Sequence, residues 1–368
     1  MKKISRKFIN ILLLAATLIG FVQPAAAVAV SAESAIVIEA STGRVVFEKE
    51  ADSRRPMAST TKIMTAIVAL EAGDTARQVS VSGEAVGVEG SSVYLKTGDN
   101  LTLDDLVWAL MLESANDAAA AIAIEVAGSV AAFAEKMNAK AAEIGLSSTH
   151  FTNPHGLDNE DHYTTARDLA KLAAYALQNP RFREIVSTYK HTINVGNETR
   201  YLLNHNKMLK LYDGAIGVKT GYTKHSGRCL VSAAERDGVT LIAVTLNAPD
   251  DWNDHRAMLD CGFGMLEARE LIKEGGSVFV QPCVGCEKNE IMVKNSAGLT
   301  VCVPKGTPEA TWRVEMPRYF WAPVYEGQVV GRIVFEANGS FLGEVPLVAC
   351  ETAERVEYKQ GIFERIFG

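Results

Sequence analysis

The alternation of apolar and polar positions divides the chain into a helix-rich part and a later strand-rich part. Ala35–Ala40 and Arg44–Glu48, apolar or alternating on either side of Ser41-Thr42-Gly43, predict a β-hairpin. Helical spacing then takes over. Ile63, Met64, Ala66, Ile67, Val68 and Leu70 follow Pro56 and stop at Gly73, and two apolar helices, Asp104–Leu112 and Asp117–Ala127, flank a short polar break. Ala131–Ile144 closes on Gly145, and Ala166–Leu177 stops before Asn179-Pro180. Strand patterning returns with Cys229–Ala234 and Val239–Leu246, joined across Glu235-Arg236-Asp237-Gly238, and a helix over Asp251–Glu267 follows. The predicted fold is an α/β domain over residues 28–270, a helical cluster plus an antiparallel sheet.

Beyond Gly275-Gly276 the pattern changes to short strands punctuated by Gly and Pro: Ser277–Val280, Glu290–Lys294, Leu299–Val303, Trp312–Met316 and Val329–Phe335. Asn338-Gly339 is a strong hairpin turn signal. Residues 271–350 therefore read as a small, all-β, sandwich-like domain that carries no catalytic cluster. The last segment, 351–368, is a tail in which Ile362, Phe363, Ile366 and Phe367 share one helical side. Such a tail suits a membrane surface or the side of the β domain, and with Glu357 and Glu364 and few cations the membrane contact is expected to be weak.

Composition changes this picture mainly at the start of the chain. With 22% charged and 48% hydrophobic residues the 368-residue chain has an ordinary globular make-up and enough length for a large core. Lys2, Lys3, Arg6 and Lys7, however, precede an apolar run from Phe8 to Val22, and Pro24 and Ala25-Ala26-Ala27 follow. This is the layout of a secretory signal, with cleavage expected near Ala27 or Ala29. Loss of residues 1–27 removes four cations and no acid, and takes the formal charge from −7 to −11. A surface of that sign repels nucleic acid. The mature protein is expected to work outside the cytoplasmic membrane. The six cysteines, Cys229, Cys261, Cys283, Cys286, Cys302 and Cys350, are too sparse for a stapled scaffold. Cys283, Cys286, Cys302 and Cys350 leave open a zinc site, disulfides or buried thiols.

Candidate chemistry begins with serine, a weak nucleophile until a base takes its proton. Ser59-Thr60-Thr61-Lys62 sets a lysine one helical turn from a serine, and Ser187-Thr188-Tyr189-Lys190 repeats the spacing. Lysine acts as a base near neutral pH only when burial or a neighbouring cation lowers its pKa. Lys62 opens a strongly apolar helix, whereas Lys190 lies among Arg181, Arg183, Glu184, His191 and Asn194 on a solvated face. Ser59 and Lys62 are the better pair. Ser114-Ala115-Asn116 falls in the break between two apolar helices, where Asn116 also suits a helix cap. Lys-Thr-Gly occurs twice. The Lys96 copy runs into Asp99, Asn100 and a helix start where Thr102 and Asp105 have capping-box-like spacing, and its acids oppose a bound anion. The Lys219 copy follows a strand, has no adjacent acid, and offers Thr220, Tyr222 and Thr223 beside Gly221, which lets another backbone approach.

Ser59-x-x-Lys62, Ser114-x-Asn116 and Lys219-Thr220-Gly221 together make the three-part motif of penicillin-binding proteins and class A β-lactamases, with Ala115 where the pattern has Asp. The chain resembles the low-molecular-mass penicillin-binding proteins of the D-alanyl-D-alanine carboxypeptidase family. Pro56–Lys62, Glu113–Asp117, Asn153-Pro154-His155-Gly156-Leu157, Ala166-Arg167-Asp168 and Gly217–Thr223 carry the likeness, which spans nearly the whole mature chain. It implies a β-lactamase/DD-peptidase-like domain and a serine DD-peptidase that removes the last D-alanine of peptidoglycan stem peptides, is acylated by β-lactam antibiotics and needs no cofactor or metal.

By the same resemblance Ser59 is the nucleophile, Lys62 its base, and Ser114 with Lys219 a proton relay. Backbone amides of Ser59 and Tyr222 form the oxyanion hole, Asn116 holds the acyl-side amide, and Thr220 with Thr223 holds the terminal carboxylate, next to Gly221. One departure is Asn204-His205-Asn206, where some relatives carry an arginine between the asparagines to help bind the carboxylate. His155 lies in a Pro-Gly turn and reads as structural. Rival readings are a DD-endopeptidase or transpeptidase, a class A-like β-lactamase with only Glu160 to offer in Asn153–Arg167, a non-catalytic penicillin-binding sensor, and a thiol oxidoreductase on Cys283 and Cys286. Environment separates the two Lys-Thr-Gly copies. Lys96→Ala is expected to leave penicillin acylation within about twofold of wild type while Lys219→Ala slows it by about 10²-fold or more, as read by rates of labelling.

Overall fold

The computed structural model describes residues 28–356 apart from Asn197. The predicted secretory signal and the amphipathic face at 358–368 lie outside the described residues. A five-stranded antiparallel sheet forms the floor of the first part, in the spatial order Val45–Lys49, Ser34–Glu39, Val239–Leu246, Gly227–Arg236 and Ala215–Thr223. The hairpin predicted at Ser41-Thr42-Gly43 is its first element. The buried Glu39 carboxylate closes that turn by accepting from the amides and hydroxyls of Ser41 and Thr42. Ala215–Thr223, which holds Lys219, is an edge strand with one side unpaired.

Helices cover one face of the sheet: α1 (Lys62–Glu71), α2 (Leu103–Leu112), α3 (Asn116–Ala127), α4 (Val130–Ile144), α5 (Ala166–Leu177) and α6 (Pro180–Ser187). Each end has a local cause. Thr102 and Asp105 form the capping box of α2, Gly145 ends α4 in the left-handed region, and Thr165 caps α5. Asn179 caps α6, with Pro180 at its first turn, so the expected stop after α5 is also a new start. Helices α1, α2 and α3 share one core in which nine of the ten α1 residues and Ala118–Ala121 are buried. The alanines let α3 lie close against its neighbours, and this is why an alanine-rich run sits there. A helix over Asp251–Met265 packs on the opposite face, ending two residues before the predicted Glu267 because Leu266 already begins a strand. Two small strand pairs, Gln78–Ser80 with Asn100–Thr102 and Lys190–Val195 with Glu198–Leu203, had no clear apolar alternation to announce them.

The second part holds a six-stranded sheet and the two-stranded pair Leu266–Ile272 with Leu299–Pro304. Its Asn338-Gly339 turn has both residues at positive φ and joins Val329–Ala337 to Ser340–Ala349, as the dipeptide predicts. Cys283 and Cys286 are bonded to each other, and Cys229, Cys261, Cys302 and Cys350 are free thiols. Cys302 packs in a different core from the Cys283–Cys286 pair.

The loop Asn153–Leu157 presses on the turn that carries Ser59. Thr65 donates to the Pro154 carbonyl at 2.6 Å, and the Asn153 carboxamide oxygen accepts from the amide of Gly156 at 2.7 Å. Gly156 has φ +87°, and a Cβ there would overlap the Ala58 carbonyl oxygen. Gly156→Ala is expected to lower stability by about 1–3 kcal/mol through backbone strain. Because the clash falls beside Ser59, acylation measured well below the variant's own Tm should also fall by about tenfold or more.

Candidate active site

Ser59 sits in a 3-10 turn, Ala58–Thr61, and Lys62 is the first residue of α1, so the i, i+3 spacing bridges two kinds of helix. Ala58 takes φ +47°, and Thr60 and Thr61 donate back to the carbonyls of Met57 and Ala58 at 2.6 and 2.8 Å. Thr61 also meets His162 Nε2 at 2.8 Å. The turn is thus tied down on its buried side while Ser59 faces a cleft.

Lys62 is fully buried, and its ammonium nitrogen is ringed by three acceptors. It donates to Ser59 Oγ at 2.8 Å, to Asn116 Oδ1 at 2.7 Å and to the His155 carbonyl at 2.7 Å. Burial first and the Lys219 cation second hold its pKa well below the ordinary lysine value, against the pull of Asp117. Lys219, 2% exposed, donates to the Thr220 carbonyl at 3.0 Å, and burial lowers its pKa to about 7 against the pull of Glu113. Burial thus favours the neutral form of both lysines relative to an exposed one.

Asn116 is the first residue of α3 and does not cap it; the N-cap position is Ala115. Its side chain turns inward between Lys62 and the Glu89 carbonyl, to which Nδ2 donates. Ser114, at φ +59° and 5% exposed, is projected from the α2–α3 break into the cleft. Asp117 holds the facing loop through Ser92 Oγ and the amides of Val93 and Leu95. That loop contains the first Lys-Thr-Gly, which is a turn: the Lys96 amide bonds the Asp99 carboxylate, and Lys96 is exposed. Ser187 bonds the Glu184 carbonyl, and both Ser187 and Lys190 are exposed, away from the cleft.

Ser59, Ser91, Ser114, His205, Lys207, Thr220, Gly221, Tyr222, Arg228, Asp251 and Trp252 line a cleft of about 350 Å³. A Cβ on Gly221 would come within 2.9 Å of the Ser59 amide nitrogen, so this glycine lets the edge strand lie against the nucleophile turn. Thr223 is placed differently from the sequence-based expectation. Its hydroxyl is engaged by Asp158 at 2.9 Å and Ser226 at 2.8 Å, so it fastens the end of the strand.

His205 faces Glu113 at 3.2 Å; burial and the Lys219 cation lower its pKa while Glu113 opposes them. His155 is pushed to about 3 by burial and the Lys62 cation, and so contributes its carbonyl and not an imidazole base. Glu160, the one candidate for a lactamase-type glutamate, is exposed. Sequence reasoning missed the His155 carbonyl, and also Arg228 and Asp251, which belong to no motif.

This constellation sets a serine hydroxyl against a buried lysine at an open cleft, an arrangement suited to a serine acyl-transfer enzyme. Residues 21–250 match the family model described as D-alanyl-D-alanine carboxypeptidase, and residues 266–355 match the penicillin-binding protein 5 C-terminal domain. The chain belongs to the D-alanyl-D-alanine carboxypeptidase family, the low-molecular-mass penicillin-binding proteins. It is 32% identical to the Bacillus subtilis D-alanyl-D-alanine carboxypeptidase DacF over 338 residues, covering 89% of this chain and 87% of that one. The crystal structure of penicillin-binding protein 5 from Haemophilus influenzae superposes with a TM-score of 0.69 at 27% identity, over 89% of this chain and 98% of the other. A Streptomyces K15 DD-transpeptidase matches 64% of this chain and 98% of its own at 34% identity and a TM-score of 0.61.

The buried cations carry a cost. Lys219's folded pKa of about 7 lies below the ordinary lysine value of 10.5, so the unfolded chain binds that proton more tightly and stability rises with pH between the two values. Lys219→Met is expected to raise Tm near pH 6, where the penalty is full, and to gain progressively less toward about pH 10. A gain in Tm that does not change with pH would contradict the depressed pKa.

Proposed function

We propose that the protein is a serine-type D-Ala-D-Ala carboxypeptidase that removes the terminal D-alanine of peptidoglycan stem peptides through an acyl-enzyme on Ser59. The observation that carries this reading is the 2.8 Å contact between Ser59 Oγ and the Nζ of a sealed, easily deprotonated Lys62. Neutral Lys62 takes the hydroxyl proton as Ser59 Oγ attacks the penultimate D-Ala carbonyl. The resulting oxyanion is met by the backbone amides of Ser59 and Tyr222, a reading supported by the close approach of Gly221 to the Ser59 amide. Lys219 and Ser114 relay that proton from Lys62 to the leaving amine, so that D-alanine departs and Lys62 is neutral again. Water, deprotonated by Lys62, then opens the ester, and Lys62 returns the proton to the Ser59 oxygen.

Asn116 fixes Lys62 through Oδ1, and its Nδ2 is the donor for the acyl-side amide once substrate displaces the Glu89 carbonyl. Thr220 receives the terminal carboxylate. Penicillins acylate the same serine, and the family acts on peptidoglycan on the outer side of the cytoplasmic membrane. Residues 1–27 as an export signal, and weak surface contact through 358–368, belong to this same proposal. Transfer of the acyl group to an amine in place of water is the second reading, favoured by the likeness to the Streptomyces K15 DD-transpeptidase.

The test offers a pentapeptide ending in D-Ala-D-Ala, and separately labelled penicillin, to wild type, Ser59→Ala and Ser187→Ala. Release of D-alanine and covalent labelling should fall by about 10³-fold or more for Ser59→Ala alone. Labelling rates should rise with pH through one ionisation lying well below the ordinary lysine value. Labelling that survives in Ser59→Ala would sink the assignment. An added amine acceptor that captures most of the acyl group would move the conclusion to the transferase.

A further inference from the structure

A groove leads away from the catalytic cleft along a path that the three motifs do not use. Two further hollows, of about 410 and 520 Å³, lie in series with the cleft. The smaller shares His205 and Lys207 with the cleft, and the larger joins the smaller at Leu203. The local fold explains the path. In the strand pair Lys190–Val195 with Glu198–Leu203, Lys190 stands opposite Leu203 and Thr192 opposite Tyr201, and these four are exposed while Ile193 and Leu202 are buried. The alternation continues past the strand: His205 and Lys207 are on the open side, and Asn204 and Asn206 are buried. The short helix Met208–Leu211 then adds Lys210 and Leu211 to the wall.

Charge and polarity set what this groove can take. Among the described residues it is lined by three exposed lysines, Lys190, Lys207 and Lys210, and by no carboxylate. The Glu113 carboxylate, which borders the segment, is already engaged by His205 at 3.2 Å and by the Leu203 amide at 2.6 Å. Lys210 Nζ lies 3.7 Å from the centre of the Tyr189 ring, which holds the cation at the groove without neutralising it. A run of unpaired cations on a chain of net charge −7 is a local field that selects an acidic ligand. Apolar surface is left open along the same path: Tyr201 is 83% exposed, and Leu203 and Leu211 are 46% and 47% exposed. Cations at intervals with open apolar positions among them suit an acidic chain that carries small apolar side groups.

We propose that this groove holds a second, acidic stem peptide of the wall polymer, cross-linked to the one being trimmed, with its carboxylates at Lys190, Lys207 and Lys210 and its alanine methyl groups against Tyr201, Leu203 and Leu211. The inference rests on the carboxypeptidase reading above, and it adds a substrate class: cross-linked peptide in preference to a single free stem. Continuity with the cleft favours a peptide of the same polymer over an anionic membrane surface, which would need no path toward Ser59.

The test measures D-alanine release from two probes, a pentapeptide ending in D-Ala-D-Ala and a peptide dimer in which a tetrapeptide stem is cross-linked to that pentapeptide. Wild type should show a KM about tenfold lower for the dimer at low ionic strength, and the advantage should shrink at about 0.5 M salt. Lys190→Glu/Lys210→Glu changes two exposed residues outside the catalytic cleft. It should raise KM for the dimer by about 5- to 20-fold while kcat on both probes, and KM on the pentapeptide, stay within about twofold. Tyr201→Ala should raise KM for the dimer by about threefold. Equal KM values for the two probes in wild type, or the same change on both in the charge-reversal variant, would overturn the proposal.

Binding of the dimer to Ser59→Ala, followed by calorimetry, separates this inference from the reading beneath it. Affinity for the dimer that Lys190→Glu/Lys210→Glu removes, in an enzyme that frees no D-alanine from either probe, would keep the groove and lose the carboxypeptidase reading. Release of D-alanine with no preference for the dimer would do the reverse. Sedimentation with phosphatidylglycerol vesicles is the last arm: binding that the charge reversal abolishes, with dimer affinity unchanged, would assign the lysines to a membrane and overturn the proposal.

Discussion

The interior amine of Lys62 is the constraint on which the rest of the catalytic part depends. An ammonium group has three donors, and each of the three acceptors around it comes from a different segment: the nucleophile turn, the first turn of α3 and the 153–157 loop. Burying such a group is affordable only when every donor is met and the surrounding core is large. The core formed by α1, α2 and α3, with alanines where α3 comes close, supplies that surrounding. Loosening any one of the three segments would admit water to the nitrogen, and its pKa would return toward the ordinary value.

The sheet answers a second requirement, that something approach Ser59 from the open side. An edge strand has unpaired backbone groups, and here they border the cleft instead of solvent alone. Gly221 permits the approach, and the register with Gly227–Arg236 sets Arg228 beside Tyr222. The strand also brings the buried Lys219 into the site, where its charge makes Lys62 less basic. Helical cluster and sheet edge thus each contribute one lysine and one hydroxyl-bearing partner.

Much of this was legible in the sequence because the local signals are strong. The capping box at Thr102 and Asp105, the glycine stop at Gly145 and the Asn338-Gly339 turn each act within a few residues. Choosing Ser59 over Ser187 and Lys219 over Lys96 needed only the surrounding polarity, and the exposed positions of Ser187, Lys190 and Lys96 agree with it. What was not legible depends on tertiary contact. Asn116 has the composition of a cap, yet its side chain is claimed by Lys62, 54 positions away. His155 looked like a turn residue and is one, but its carbonyl accepts from Lys62. Arg228 and Asp251 are 23 positions apart and become partners only through strand register and the start of a helix.

The protonation of the site follows from the same geometry. With Lys62 held well below the ordinary value and Lys219 near 7, the cleft is rich in lysine yet carries less positive charge than its composition suggests. An anion arriving beside Lys219 favours the ammonium form of that lysine, and added charge on Lys219 further disfavours the ammonium form of Lys62. Binding of a carboxylate therefore pushes the two lysines apart in protonation, toward an acid on the sheet side and a base on the helix side. Acyl transfer to serine needs that pair of states at one moment, one group to take the hydroxyl proton and another to give a proton to the leaving amine. A bound molecule lacking a carboxylate would meet the same residues without that bias.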